Sequence, residues 1–320
     1  MRRTWRRCRD EDAVKLLVTG ASGFIGRNVL LGVPRDWTVL AVSGATDLSG
    51  FINEHGLAHV TPFACDLANA AAVDDLARRA GGCDVALYLA ANGDPAASAE
   101  RVGWDLQLNT VAVVNFLERV TVDRMIYMSS GAVYDGLSGA VTPATPVNPR
   151  LPYAIAKLAS ERYVAFFAEK KRALASYVNV RFFGAYGPYE APRKITTRWL
   201  RDVMDGQRAF TIRGDGQNLI DFMYVDDAVD ALVRLVRDRS FSGTVDLASG
   251  APVTIDEVVG AMAHAVGVDV TIRHEGVVPE YIEFRSADRT LRDRFGFAPA
   301  TPFDAGIRKL HAFFRQPARA

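Results

Sequence analysis

The sequence predicts an α/β protein: a Rossmann-type, doubly wound parallel sheet with a smaller, interleaved C-terminal substrate domain. Three observations predict this fold. Apolar, β-rich runs alternate with helical runs from 14 to 184, and the first of these runs leads directly into a glycine-rich turn. The alternation then breaks, and one further strand-like run returns at 244–248. Such an alternation is typical of a parallel sheet with helices on both faces.

The candidate strands are apolar on both faces, as strands buried inside a parallel sheet are. They are 14–19, 37–42, 60–64, 84–90, 124–129, 176–182 and 244–248, and helical runs cover 26–32, 69–80, 104–120 and 153–171. From about 185, prolines and glycines interrupt a less regular pattern. We therefore predict a basic tail at 1–13, a dinucleotide-binding domain at 14–184 plus about 220–250, and a substrate domain at about 185–219 plus 251–320.

Composition argues against several classes of function. The net charge is +1, so the overall charge attracts neither nucleic acid nor a membrane. No apolar run of signal-peptide length follows the basic opening, and none reaches the roughly 18 residues of a membrane span. Three scattered cysteines (Cys8, Cys65, Cys83) lack CxxC spacing, and the five histidines form no ligand pattern. We expect a cytoplasmic protein with reduced thiols, no metal site, and neither a nucleic-acid nor a membrane partner.

A glycine-rich turn follows the first strand, where Gly20, Gly23 and Gly26 are spaced as G-x-x-G-x-x-G before a helical run. The first glycine permits a tight turn, the second lets the backbone approach a pyrophosphate, and the third lets helix and strand pack closely. The helix N-terminus then faces the negative charge. The turn predicts a dinucleotide cofactor, NAD or NADP, held by Gly20, Ser22, Gly23, Phe24, Ile25 and Gly26.

The choice between NAD and NADP stays open in the sequence. Folds that prefer NAD often carry an acid at the end of the second strand, where it holds the ribose 2′-hydroxyl. Ser43 stands at this place. A serine does not repel a 2′-phosphate, yet no arginine is adjacent to bind one.

Two further strand ends are predicted to line the cofactor. Asp66, followed by Leu67, comes after the third strand; it either accepts a hydrogen bond from the adenine amino group or caps the helix at 69–80. The fourth strand ends at Leu89, Ala90 and Ala91, where the small alanines let the backbone pass close to the cofactor.

A catalytic set follows the fifth strand, which ends at Ser129 and Ser130. Tyr153 and Lys157 are four residues apart, so on a helix the phenol and the ammonium lie on one face. A free phenol has a pKa of about 10, and two nearby cations, the lysine and an oxidised nicotinamide, would lower it. Lys157 can also hold the nicotinamide ribose, and Ser130 can hydrogen-bond the alcohol or carbonyl that reacts. We predict catalysis by Ser130, Tyr153 and Lys157.

Together, these motifs resemble an extended short-chain dehydrogenase/reductase of the NAD-dependent epimerase/dehydratase branch, which acts on nucleotide sugars. GDG…DFMYVDDAVDAL at 214–232 and FGFAP at 295–299 share the resemblance. It implies a tightly held NAD or NADP, a smaller C-terminal substrate domain, and a homodimer packed through the helices at 104–120 and 153–171. Asn109 matches the helix asparagine that supports the active site through backbone contacts. Asp226 and Asp227 are read as a helix start, not as a metal pair.

The resemblance narrows the reaction. The 4,6-dehydratases of the family carry an Asp-Glu pair just after the strand-end hydroxyl residue, where this chain has Gly131 and Ala132. That absence disfavours a dehydratase of this type. We expect a nucleotide-sugar epimerase acting through a transient ketone; the alternative is an NADPH-dependent nucleotide-sugar 4-ketoreductase. A non-catalytic dinucleotide sensor is a third interpretation, but such proteins typically lack the tyrosine or the lysine.

Two departures from the family concern the substrate phosphates. The family commonly places an asparagine at Gly184, in RFFG, and an arginine at Ile220, before DF; both contact the diphosphate. A diphosphate requires charge-assisted donors, and nearby arginines and lysines are the candidate substitutes. We predict Phe182 near the cofactor and a substrate site formed by Asn92, Ser130, Gly184, Arg193, Lys194, Arg213 and Arg285, with Arg198 close by.

Overall fold

A computed structural model describes residues 13–171, 173–277 and 283–316. Up to the middle of the chain, strands and helices alternate regularly. In chain order they are β1 (Lys15–Thr19), α1 (Phe24–Gly32), β2 (Thr38–Ser43), α2 (Ser49–Glu54), β3 (Val60–Ala64), α3 (Ala70–Ala80), β4 (Cys83–Tyr88), α4 (Pro95–Glu100), α5 (Val102–Leu106), a π-helical turn (Gln107–Val111), α6 (Ala112–Arg119), β5 (Val122–Ser130), a 3₁₀ turn (Gly131–Tyr134) and β6 (Ser138–Val141).

The second half contains longer helices and several very short strands. Its elements are α7 (Pro152–Glu169), β7 (Ser176–Phe182), β8 (Ala185–Tyr186), α8 (Ile195–Met204), β9 (Ala209–Arg213), β10 (Leu219–Ile220), β11 (Met223–Tyr224), α9 (Val225–Arg237), β12 (Gly243–Leu247), β13 (Val253–Thr254), α10 (Ile255–Val266), β14 (Thr271–Glu275), β15 (Glu283–Ser286), α11 (Thr290–Phe295) and α12 (Phe303–Phe314).

Seven parallel strands form the central sheet, in the order β12-β7-β5-β4-β1-β2-β3. The chain builds outward from β1 in one direction and then from β4 in the other, so the strand order reverses between these two strands. Ligands of such sheets bind at this switch point, beyond the carboxyl ends of the strands. The fold class is the one predicted, and each predicted strand is present, with ends that differ by at most two residues.

Helices cover both faces of the sheet. On one face, α1, α9 and α11 pack through residues such as Val29, Leu232 and Leu291; on the other, α3, α6 and α7 pack through residues such as Phe116 and Val164. Each fully buried side chain of this size contributes roughly 1.5–3 kcal/mol. These two apolar layers hold the carboxyl ends of the strands in place.

A third apolar cluster joins α8, α10 and α12, through residues that include Leu200, Met262 and Leu310. This cluster coincides with much of the predicted substrate domain. One difference is that Leu291 and Phe297 pack on the central sheet, although 251–320 was assigned to the substrate domain. The division into two domains stays a prediction. Among the described residues, no helix is both long and apolar enough to cross a membrane.

Candidate active site

The carboxyl ends of β1, β4, β5 and β7 lie at one edge of the parallel sheet. The glycine turn, the Leu89–Ala91 segment, Ser130 and the RFFG segment follow these strand ends and therefore meet at that edge. Sequence spacing predicted each segment separately, and the strand order brings them together.

The glycine turn is packed tightly against the end of β4. Gly20 has φ +65°, and a Cβ on it would lie 2.8 Å from the backbone nitrogen of Ala90. A Cβ on Gly26 would overlap the carbonyl oxygen of Gly20. The Thr19 hydroxyl accepts hydrogen bonds from the backbone N–H groups of Leu89 (3.0 Å) and Ala90 (3.1 Å). Thr19 therefore ties the two cofactor segments together, a role that the sequence did not indicate.

The residues at the start of α1 fit a dinucleotide. Within the described ranges no side chain caps the helix, and its first turn carries no acid, so its first N–H groups are left for a ligand. Gly23 is exposed, and a Cβ on it would meet only the Gly20 carbonyl oxygen, at 3.2 Å. An anion can approach this backbone closely, and the positive end of the helix dipole favours it.

Gly23→Ala should weaken NAD binding about tenfold, or about 1.4 kcal/mol, because the added methyl occupies the path of the pyrophosphate. Isothermal titration calorimetry with NAD measures the change, and the melting temperature should stay within a few degrees of wild type. Gly50→Ala is the matched control, since no atom lies within 4 Å of a Cβ there. Equal NAD affinities for the two variants would rule out this assignment.

Two of the residues predicted to lie beside the adenosine already make hydrogen bonds within the protein. The Ser43 hydroxyl donates to the carbonyl oxygen of Thr46 at 2.8 Å. Asp66 is exposed and accepts from the backbone N–H of Ala68 at 3.0 Å, whereas the side chain of Asn69 caps α3. The interpretation of Asp66 as the helix cap is therefore wrong. Its contact with adenine stays a prediction, as does that of the buried Leu67.

Lys157 is buried on α7, with an exposed fraction of 3%. Its Nζ donates to the carbonyl oxygen of Met128 at 2.9 Å and lies 5.8 Å from the centre of the Tyr153 ring. Burial lowers the pKa of Lys157 to about 8, and the carboxylates of Asp105 and Glu161 oppose that effect. The ammonium is therefore expected to lose its proton in the mildly alkaline pH range.

Tyr153 and Ser130 lie close enough together for the Ser130 hydroxyl to favour the ionised form of the phenol. Burial raises the pKa of Tyr153; the Ser130 hydrogen bond lowers it, and the Asp105 charge raises it. The lower phenol pKa expected from Lys157 together with an oxidised nicotinamide stays a prediction. Burial outweighs the hydrogen bond, and the Lys157 ammonium is held at Met128. The Ser130 hydroxyl also accepts from the backbone N–H of Ala132 at 3.1 Å.

Asn109 supports the end of β4 from a π-helical turn, an irregularity that is frequent at functional sites. Its side chain accepts from the backbone N–H of Asn92 (2.8 Å) and donates to Asp105 (2.6 Å). Asn92 also donates to Asp105, at 2.8 Å. The backbone carbonyl of Asn109 accepts from the Ser160 hydroxyl at 2.6 Å, which ties this turn to α7. Asn92 was predicted to face the substrate, but its side chain is committed to these internal hydrogen bonds.

A second buried network begins beside Ser130. Ser129 donates to Glu161 at 2.5 Å, and Arg181 binds the same carboxylate through two hydrogen bonds of 3.0 and 2.9 Å. Arg181 also donates to the Tyr134 hydroxyl (3.0 Å), which donates to Asp246 (2.8 Å). Desolvation raises the pKa of Asp246 to about 6. The network joins α7, β7, the 3₁₀ turn and β12 beneath the catalytic residues.

Comparison with known families agrees with this geometry. The model of the NAD dependent epimerase/dehydratase family matches residues 16–246. The chain belongs to this family. The expected family and fold are thereby confirmed, and the chain is an enzyme of this oxidoreductase type.

Individual members of the epimerase/dehydratase family match almost the whole chain. A dTDP-glucose 4,6-dehydratase from Streptomyces griseus is 30% identical over 321 residues, 94% of either chain. A UDP-glucose 4-epimerase from Mycolicibacterium smegmatis is 28% identical. That match covers 99% of the relative and 94% of this chain. The structure of MoeE5 in complex with UDP-glucose and NAD superimposes with a TM-score of 0.80 at 28% identity, covering 94% of this chain and 98% of that one.

Two glycines of this epimerase/dehydratase chain stand where the resemblance implies larger side chains, and each lies close to an aromatic ring. A Cβ on Gly131 would lie 3.1 Å from the Phe183 ring. Gly184 has φ +150°, and its Cβ would lie 3.2 Å from the Phe222 ring. An asparagine at 184 or an acid at 131 therefore requires these rings to move. Phe182, which was predicted to lie near the cofactor, packs against the apolar core on one face of the sheet.

The candidate phosphate-binding residues lie on three separate segments of the chain. Arg193, at the start of the α8 segment, pairs with Asp94 at 3.2 Å, and Lys194 is exposed immediately before α8. Arg285 is exposed on β15, which pairs with β6. Arg213 lies on β9 and lines a cavity of about 210 Å³. Their contact with substrate stays a prediction.

Glu190 places a carboxylate at the N-terminus of α8. Without it, this end of the helix would attract an anion. Its carboxylate accepts from the hydroxyls of Thr196 (2.5 Å) and Thr197 (2.8 Å). Burial raises the pKa of Glu190, and these hydrogen bonds oppose that effect. The sequence reading missed this residue, although a glutamate six residues before a Thr-Thr pair at a helix start is a usable signal.

Proposed function

We propose that this chain is an NAD-dependent nucleotide-sugar epimerase that acts through a transient ketone. The observation that carries the proposal is buried Lys157 placed 5.8 Å from the centre of the Tyr153 ring, with Ser130 beside the phenol and no acidic side chain at 131 or 132. The dehydratase relative is as similar as the epimerase relative, so identity does not choose between them. Gly131 favours the epimerase, because even a Cβ there would lie 3.1 Å from the Phe183 ring and would require that ring to shift.

The proton chemistry follows from these three side chains. Ser130 hydrogen-bonds the carbinol oxygen of the sugar, and the Tyr153 oxygen takes the hydroxyl proton as the ketone forms. NAD, when bound, supplies the hydride acceptor and donor. Once the ketone has turned over in the site, Tyr153 returns the proton to the oxygen as hydride is delivered to the opposite face. Lys157 keeps a positive charge below the phenol and holds the nicotinamide ribose.

NAD is the proposed cofactor in preference to NADP. No lysine or arginine lies between Ser43 and Gly50, where a 2′-phosphate would need a cation. Asp47 adds a carboxylate to this loop, and its hydrogen bonds with Ser49 hold its pKa below the usual range. The nearby Arg27 guanidinium lies over the ring of Phe51, 5.2 Å from its centre. The MoeE5 complex contains NAD, in agreement with this choice.

A nucleoside site is proposed at the cavity beside β9. Trp199 and Arg213 line this cavity, which offers stacking surfaces to a planar base. The buried side-chain oxygen of Asn218 also lines it and has no hydrogen-bond partner among the described residues. Such an acceptor fits an N–H group on the edge of a base. Lys194 and Arg193, once Arg193 is released from Asp94, are the proposed partners of the diphosphate.

A homodimer and a cytoplasmic location complete the proposal. Leu106, Ile155 and Phe166 are exposed on the two helices that the resemblance assigns to the dimer, and Val102 is exposed just before the first of them. Apolar exposure of this kind commonly marks a protein interface. Buried, unpaired Cys65 and Cys83 are in keeping with the reducing cytoplasm.

The purified protein tests the proposal. Mass spectrometry of the denatured protein should identify NAD, and light scattering should give twice the chain mass. Without added reductant, one member of a panel of UDP-, dTDP- and GDP-linked hexoses should be converted to its epimer, and that sugar should also raise the melting temperature. Consumption of added NADPH would indicate the ketoreductase, loss of water a dehydratase, and cofactor binding without any turnover a sensor.

A further inference from the structure

Four charged side chains are buried together beneath the catalytic tyrosine. Asp105 is 1% exposed, and Lys157, Glu161 and Arg181 are each 3% exposed. Glu161 and Arg181 neutralise one another through a two-point ion pair, with an N–O distance of 2.9 Å at Arg181 Nη2. This pairing leaves one carboxylate, Asp105, and one ammonium, Lys157, without a charged partner of their own.

Among the residues that the structure describes, only neutral groups hold Asp105. Its Oδ1 accepts from the side-chain amides of Asn92 (2.8 Å) and Asn109 (2.6 Å). Within the described part of the chain, no ion pair joins Asp105 to a cation. Two amide donors orient a carboxylate but do not balance its charge, and an unbalanced buried charge is strongly unfavourable.

We propose that Asp105 is a positioning residue that acts as the buried counter-charge of Lys157 and keeps the lysine ammonium charged. Its use in catalysis rests on the proposed function, but the charge coupling does not. Helix α5 carries Asp105 and packs against α7, which carries Lys157. Asn92 and Asn109 hold the carboxylate, and Ser160 of α7 donates to the Asn109 carbonyl oxygen at 2.6 Å, so hydrogen bonds fix the Asp105 segment against the helix that carries Lys157.

The surroundings of Lys157 support this assignment. The groups that face it are Tyr153 and Glu161 on its own helix, Tyr127 on β5 and Asp105 on α5, with Arg181 on β7 behind Glu161. Of the two carboxylates, Asp105 opposes the desolvation of Lys157 more strongly than Glu161 does. The Asp105 charge also raises the pKa of Tyr153, so its role is not to create a phenolate. It preserves the cation on which the tyrosine depends.

Lysine NMR tests the coupling without any substrate. The chain has six lysines, so ¹³Cε labelling gives few signals, and Lys157→Met assigns the one of interest. In wild type, Lys157 should titrate near pH 8. In Asp105→Asn, its midpoint should fall by about one pH unit, because the opposite charge that favours the ammonium is gone.

Asp227→Asn is the matched control. Asp227 is a buried carboxylate on α9 that accepts from the backbone N–H of Thr301 at 2.9 Å, and its replacement should leave the Lys157 midpoint unchanged. If Asp105→Asn fails to fold, Asp105→Ser removes the same charge. A folded Asp105 variant with an unchanged Lys157 midpoint would overturn the proposal. Since no turnover is measured, failure of the epimerase assay leaves this test valid.

Discussion

Tyr153→Phe is expected to reduce turnover by a factor of about 10² to 10⁴, the usual contribution of a positioned proton-transfer group. The variant loses only the phenol hydroxyl, which lies beside Ser130. The ring keeps its position on α7. NAD should remain bound, because the pyrophosphate site at Gly23 lies on a different segment. Initial rates of epimer formation, together with the amount of NAD per chain, measure both effects.

Tyr177→Phe is the control for this prediction. The Tyr177 hydroxyl donates to Glu169 at 2.9 Å in an exposed position, so its removal should leave the rate within a factor of about two of wild type. If Tyr153→Phe retains most of the wild-type rate, Tyr153 is not the proton-transfer group. The mechanism would then be wrong even though the fold and family stand.

The second large effect is expected for stability. Arg181→Met should lower the free energy of unfolding by about 3–5 kcal/mol, because it leaves the Glu161 carboxylate buried without its partner. The pair is well shielded, with side-chain exposures of 4% for each residue. Tyr134 loses a donor in the same variant. Urea unfolding followed by circular dichroism measures the change.

Arg193→Met provides the matched comparison, since it breaks an arginine–carboxylate pair of similar length. Arg193 and Asp94 are 57% and 33% exposed, so water screens their attraction and the loss should be below about 1 kcal/mol. Equal losses for the two variants would contradict the assignment of Arg181 to a buried network. Adding Glu161→Leu to Arg181→Met should recover part of the lost stability, because the orphaned charge is removed with its partner.

Local sequence patterns were sufficient to predict most of the fold and the candidate catalytic residues. Apolar runs located β1, β5 and β7, the glycine spacing located the cofactor turn, and the four-residue spacing placed Tyr153 and Lys157 on one face of α7. Each of these features is decided by neighbours in sequence, so periodicity and spacing are sufficient evidence. The helix predicted at 104–120 is continuous as expected, but its π-helical turn, which aims Asn109, leaves no periodic signal.

Long-range pairing explains what the sequence could not predict. In the sequence pattern Asp105 is an ordinary helix residue. Only the fold shows that Asn92 binds it. In the sequence Arg181 is only a strand residue; in the fold it binds Glu161, which lies twenty residues earlier on the helix that packs against this strand. Arg193 was expected to be free for phosphate, yet Asp94, which lies far away in sequence, occupies it. Partners of this kind are chosen by topology, and a single sequence contains no record of them.

The central claim is that a single bound cofactor both takes and returns the hydride. The most direct measurement uses the nucleotide sugar identified by the screen, deuterated at the carbinol carbon that inverts, in ordinary water without added cofactor. We predict an epimer that keeps the deuterium and the full mass of the substrate. An epimer that has lost its deuterium to solvent, or a product that forms only when NADPH is supplied, would contradict the account.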